Sequence, residues 1–154
     1  EPLVVACHPA HRPVALRRLR LADLAGQRCI AFDRDLPIRR AIDEALRAAG
    51  VAVDVVMELD NVESMKQAVL GNCGIAILPE PAVLREALGR MLVALPIGDA
   101  TLSRPVAVLR RQSARDPAID AFVDFVHASL HQQGPVPSAP PAPLRHAQTP
   151  SQYD

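Results

Sequence analysis

Aromatic side chains are scarce in this chain of 154 residues, which has no tryptophan, one tyrosine and three phenylalanines. That scarcity argues against the stacking of unpaired bases on aromatic platforms as a mode of recognition. An excess of positive charge is also missing, because seventeen basic residues balance seventeen acidic ones. A chain without a net field does not hold a polyanion or an acidic membrane surface by charge. The basic residues are almost all arginine, with Lys66 the single lysine, a bias that GC-rich coding explains. Cys7, Cys29 and Cys73 are odd in number and form no C-x-x-C pair, which fits a reducing cytoplasm better than a disulfide framework or a thiolate zinc site. No apolar run approaches the ~20 residues of a bilayer-spanning helix. The opening EPLVVACHP also lacks the basic start and cleavage site of a signal peptide. A G-x-S-x-G elbow, a P-loop and a dinucleotide G-x-G-x-x-G are absent too, so no enzyme class is indicated.

Aliphatic side chains are plentiful, and at 49% hydrophobic residues the chain can bury a core of ordinary size for one α/β domain. Leu3 to Cys7 reads as a buried strand ended by a loop from His8 to Pro13. Leu21 to Leu24 suggests a helical turn closed by Gly26, and Cys29 to Phe32 a short strand leading into Asp33-Arg34-Asp35. Ile38, Ala41, Ile42, Ala45, Leu46 and Ala49 then recur at helical spacing among charged residues. Asp35 is the expected N-cap of that helix, Pro37 sits in its first turn and Gly50 stops it. From Val51 to Leu59 the period changes to two, so a strand follows.

Asn61 is placed to cap a second helix, with Val62, Met65 and Val69 on its inner face and a stop near Gly71. Ile75 to Leu78 is a strand broken by Pro79 and Pro81. A helix near Val83 to Leu88 and strands near Met91 to Leu95 and Pro105 to Arg110 follow. A last helix from Asp116 or Pro117 carries Ile119, Phe122, Val123, Val126 and Leu130 on one stripe. Residues 134 to 154 are rich in proline and poor in core formers, the composition of a disordered tail. Alternating strands and helices argue for a largely parallel sheet with helices on its faces.

Three constellations invite a chemical role. Cys7, His8 and His11 lie in one short loop segment and could be read as metal ligands. His127 and His131 have the i, i+4 spacing of a zinc pair without the glutamate of H-E-x-x-H, which leaves them as surface histidines. Asp33 and Asp35 flank Arg34 in a loop, where helix capping is an adequate role for an acidic residue. No metal and no cofactor is expected.

The order of segments resembles the effector-binding domain of LysR-type bacterial transcription regulators. LVVACHPAHRPVA is similar to that family's first hinge strand and the His-Pro phrase after it, with Arg12 inserted between His11 and Pro13. LADLAGQRCIAFDR and IRRAIDEALRAAGV follow the family's turn, strand and helix. VVMELDNVESMKQAVLGNCGIAILPEPAV resembles its central strand, capped helix, Gly-x-Gly turn, strand and proline, although Asn72 and Cys73 stand near that turn and only Gly71 and Gly74 are glycines. LSRPVAVLRR and DPAIDAFVDFVHASL look like the second hinge strand and the C-terminal helix. The resemblance covers about residues 1 to 131.

It implies an α/β fold of the type II periplasmic-binding-protein kind, with one complete three-layer subdomain plus the C-terminal helix of the other. Residues 1–112 would form the effector-binding subdomain, with hinge strands near 3–7 and 105–110 pairing antiparallel. Residues 113–133 would be a helix of the incomplete first subdomain, short of its normal cover, and 134–154 the tail. The winged helix-turn-helix and the first part of the effector region would lie outside this sequence. In such two-lobed proteins, ligands lie where strand carboxyl ends and helix N-termini face the cleft. That places Asp35, Leu36, Pro37, Asn61, Val62, Leu78 and Pro79 at the ligand, an anionic small-molecule effector. The implied partners are this effector, further copies of the full-length protein as a dimer or tetramer, and DNA only through the absent N-terminal domain. A transport solute-binding protein of the same fold and a dimerisation module without ligand are the competing roles.

Overall fold

The computed structural model describes residues 1–11, 19–107, 109 and 117–132, with the side chains of 130–132 set aside. Strand β1 spans Leu3–Cys7, a 3₁₀ turn Leu21–Leu24, β2 Arg28–Phe32 and helix α1 Pro37–Ala48. Then come β3 Asp54–Leu59, α2 Val62–Leu70, β4 Ala76–Pro79, α3 Glu80–Leu88, β5 Val93–Pro96 and α4 Pro117–Gln132.

The strands make two ladders, β2–β3 and β4–β1–β5. A single parallel bridge between Cys29 and Ile75 joins them. There the Ile30 amide donates to the Ile75 carbonyl and the Ile75 amide to the Arg28 carbonyl, each at 2.8 Å. The continuous order is therefore β3-β2-β4-β1-β5. β2 and β3 run parallel, as do Cys29 and Ile75, while β1 is antiparallel to both β4 and β5. Four strands thus share one direction and β1 opposes them.

The all-apolar run LVVAC becomes the central strand of its ladder because all five of its residues are buried, the pattern of a strand covered on both faces. Its register, Val4↔Leu78 on one side and Val4↔Pro96 on the other, occupies both of its edges. Among the described residues the expected pairing with 105–110 is therefore not made. No strand is found among the described residues of that segment, and Val108 and Arg110 lie outside them. The antiparallel contact falls earlier. The Leu3 amide donates to Leu102 (2.9 Å), the Arg104 amide to Glu1 (2.8 Å), and Pro2 bridges Ser103.

The expected cap of α1 also needs correction. Leu36, not Asp35, is the N-cap, in an extended conformation with φ −79 and ψ 135. The ring of Pro37 pushes the residue before it out of the helical region, so the boundary falls between 36 and 37. The Asp35 amide instead contacts Asp33 Oδ1 at 3.4 Å. At the far end Gly50, with φ +67, is the stop the sequence suggested. α2 starts as expected, Asn61 Oδ1 accepting from the amides of Glu63 (2.8 Å) and Ser64 (3.3 Å). α3 begins at Glu80, three residues before the expected Val83, because proline is tolerated in a first turn.

The core runs through β1, β2 and β4, with Leu19, Leu24, Met65, Val69, Val83 and Leu92 packed on it. β3, at the sheet edge, keeps Val55, Val56 and Met57 partly exposed. None of residues 117–129 in α4 is buried, and Phe122 and Phe125 are 61% and 68% exposed. The side chains of Leu130 and His131, and the expected tail, lie outside the described residues, as do Arg12 and Pro13.

Candidate functional site

Because β2, β3 and β4 are parallel, their carboxyl ends at Phe32, Leu59 and Pro79 lie on one edge of the sheet. Each is followed within a few residues by a helix, so the starts of α1, α2 and α3 share that edge. The two segments expected at a ligand, 35–38 and 61–64, are therefore brought together. The Asp33 amide donating to the Leu59 carbonyl (2.9 Å) ties the two strand ends directly. Asp35, Pro37 and Asn61 are exposed there, and Leu36 and Val62 half-buried. Leu78 and Pro79 reach the same edge but lie within the core. Their side chains are buried beneath that edge.

Two buried cations stand behind this edge, and sequence reasoning missed both. Arg39, 6% exposed, donates through Nη1 to the Phe32 carbonyl (2.6 Å) and to Glu58 (3.1 Å). Through Nε it reaches both oxygens of Asp43 at 2.9 Å. It thereby fastens the first turn of α1 to the ends of β2 and β3. Glu58 also accepts from Arg34 Nε at 2.9 Å, and these guanidinium hydrogen bonds, Arg34's first, hold its carboxyl below the usual range. Lys66, 5% exposed, donates to Glu86 Oε1 (2.9 Å) and the Ala82 carbonyl (3.1 Å) on α3. It also pairs with Glu63 at 2.8 Å. Burial works against its charge, but the hydrogen bonds it donates to Glu63 and Glu86 outweigh this and leave it more basic than a free lysine.

The other candidates have ordinary partners. His8 Nδ1 accepts from the Ala10 amide (3.1 Å) and His11 Nε2 meets Gln27 Oε1 (3.2 Å). Burial pushes the thiols of Cys7 and Cys29 up to about 11, which makes them poor nucleophiles and ligands. Among the described residues no group of three or more His, Cys, Asp or Glu side chains could hold a metal ion. No helix there is long and apolar enough to cross a membrane. A shallow cavity under α1 is lined by Phe32, Ile42, Leu46, Val55 and Ile77, with Arg39 and Asp43 paired to each other at its rim.

A mostly parallel sheet with one reversed strand, and helix starts gathered on one edge, is an α/β fold in which ligands commonly bind at the carboxyl ends of the strands. The family model described as LysR substrate binding domain matches residues 1–131, and the chain belongs to that family. It is 29% identical over 127 residues to the RuBisCO operon transcriptional regulator of Allochromatium vinosum, a match covering 82% of this chain and 42% of that protein. Among solved structures, the CcmR regulatory domain of Synechocystis PCC6803 in complex with 2-PG superposes with a TM-score of 0.65 at 22% identity, covering 83% of this chain and 62% of that one. The C-terminal domain of a probable LysR family transcriptional regulator from Rhodococcus sp. RHA1 gives 0.62 at 25% identity, covering 82% and 63%. The chain thus spans less than half the length of the first relative and under two thirds of these structures.

Proposed function

We propose that this chain is the effector-binding lobe of a cytoplasmic bacterial transcription regulator, and that the shared edge of β2, β3 and β4 is one wall of its ligand cleft. The observation that carries this reading is the meeting of three helix starts on a single sheet edge in a chain of this family. Residues 1–112 form the lobe, and the helix within 113–133 belongs to the other one. Asp35, Leu36, Pro37, Asn61 and Val62 form the rim, over a floor of Leu78 and Pro79. The lobe acts by population shift, since a small molecule with unequal affinity for two lobe arrangements favours one of them. Oligomers of the full-length protein and a DNA-binding domain elsewhere in it would pass that shift to DNA; no catalysis is required of this chain.

Support for an anionic effector comes from the helix dipoles and from Arg34, which favour negative charge. Asp33, Asp35, Asp60 and Glu63 around the same edge oppose it. The amides of Glu63 and Ser64 are already taken by the Asn61 cap, which leaves the Asn61 Nδ2 group for a ligand. The test is a thermal-shift panel of small carboxylates, phosphates and amines, followed by amide NMR on the hits. A hit that moves the signals of 35–38 and 61–64 supports the proposal. Hits that act at the opposite sheet edge, or sequence-selective binding of duplex DNA by this chain alone, would overturn it.

A further inference from the structure

Arg39 and Lys66 are the buried polar or charged residues among those described, and both stand behind one sheet edge. Buried ion pairs seldom stabilise more than a well-packed apolar contact of the same size. Generic cohesion between α2 and α3 would be served as well by a leucine and a methionine. An apolar contact lacks direction, however. An ammonium with three N–H donors that meets three acceptors fixes both the distance and the rotation of the two helices.

Lys66 is used in this way. Its three partners are Glu63 in the first turn of α2, at 2.8 Å, and Ala82 and Glu86 on α3, at 3.1 and 2.9 Å. Ala82 lies three residues beyond Pro79, the floor of the edge, and Glu63 two beyond the Asn61 cap. The arrangement also carries a cost that an apolar contact would avoid, because Glu86 Oε2 is buried with no hydrogen-bond partner among the described residues.

We propose that Lys66 is a positioning residue of the ligand wall: from the turn of α2 that follows its cap, it ties α2 to α3 through Ala82 and Glu86, so that Asn61, Val62 and Pro79 hold one relative geometry before any ligand arrives. This inference rests on the reading of that edge as the ligand wall. Glu63 is 72% exposed, so the bonds to Glu86 and Ala82 give most of the constraint.

The experiment compares the full chain with K66M/E86L, which replaces the pair by apolar groups of similar size, using melting temperature and residue-resolved amide hydrogen exchange. The double variant should melt within a few degrees of the parent, while exchange at Glu63, Ser64 and Met65 rises about tenfold or more. Exchange at Arg39 and Arg40 at the start of α1 should stay unchanged. Unchanged exchange at 63–65 in a folded double variant, or a rise equal in α1 and α2, would overturn the proposal. Should the double variant not fold, E86Q is read in the same way, with a rise confined to 63–65 in support and none against. No ligand enters the measurement, so failure here is separate from failure of the ligand panel.

Discussion

Replacing Gly74 by alanine tests the join between the two ladders of the sheet. A Cβ at Gly74 would lie 2.6 Å from the Arg28 carbonyl oxygen and 3.0 Å from its carbon. Ordinary carbon contacts begin near ~3.5 Å, so backbone must move by roughly an ångström. The atom it strikes is the acceptor of the 2.8 Å hydrogen bond from Ile75, half of the bridge between β2 and β4. Overpacking costs about 1–3 kcal/mol, and the weakened strand bond adds about 1 kcal/mol. A smaller unfolded-state entropy returns about 0.5–1 kcal/mol. A net loss of about 1–3.5 kcal/mol follows, equivalent to roughly 2–14 °C in melting temperature for a domain of this size. Gly71 is the control, since its Cβ would find nothing nearer than 3.5 Å, and G71A should stay within about 0.5 kcal/mol of the parent. Urea unfolding followed by circular dichroism measures both. If G74A is no less stable than G71A, the close approach of the segment before β4 to β2 is not as described.

The capping assignments predict that N61A loses about 1 kcal/mol in urea unfolding, whereas D35A, whose side chain caps nothing, stays within about 0.5 kcal/mol. The hydrogen bond from Lys66, foremost, holds the Glu86 carboxyl below its ordinary value of 4.5. Its stabilisation is therefore present above the unfolded value and is lost as pH falls through the folded one. Melting temperatures should accordingly fall more steeply below about pH 4.5 in the parent than in E86Q, and equal slopes would refute this. With Cys7 and Cys29 buried and their thiols raised to about 11, an aromatic disulfide reagent at pH 8 should react with Cys73 first and reach the others only on unfolding. Mapping the labelled peptides by mass spectrometry checks the order.

Local patterns in the sequence were enough for most elements. The stripe from Ile38 to Ala49 became α1, Gly50 and Asn61 act as stop and cap, and LVVAC is a buried strand. Strand neighbours were harder to read, because they depend on which edges compete. Val4 to Cys7 could pair with any apolar segment, and β4 and β5 took both sides of it. Asp35 looked like a cap by residue type, but the steric effect of Pro37 on Leu36 moved the boundary by one residue.

The buried cations could have been seen from helical spacing. Val62, Met65, Lys66 and Val69 fill positions i, i+3, i+4 and i+7, and Arg39 stands at i with Ile42 and Leu46 at i+3 and i+7. A charged residue inside an apolar stripe announces a partner; Asp43 and Glu63 stand within one helical turn, but the distant partners, 19 residues away for Arg39 and 20 for Lys66, are set by tertiary structure alone.

On the proposed reading of this edge as a ligand wall, the placement of these cations accounts for a lobe that is firm in its core and directed at its rim. The side chains that hold the sheet together, from β1, β2 and β4, are apolar and non-directional, so they fix the volume of the lobe more than the aim of any one loop. A ligand wall needs aim, and exposed loops such as 33–36 and 60–61 supply little of it, since surface ion pairs like Arg34–Glu58 are individually weak. Arg39 and Lys66 carry directional bonds within the dry interior beside those loops, the one from the first turn of α1 to the Phe32 carbonyl and the other from α2 to Ala82 and Glu86 on α3. Burial keeps those bonds from being screened by salt, in contrast to the pairs at the rim. The geometry of the wall should therefore persist at ionic strengths that abolish its surface pairs. Any salt dependence of effector binding then reports the charge of the effector itself.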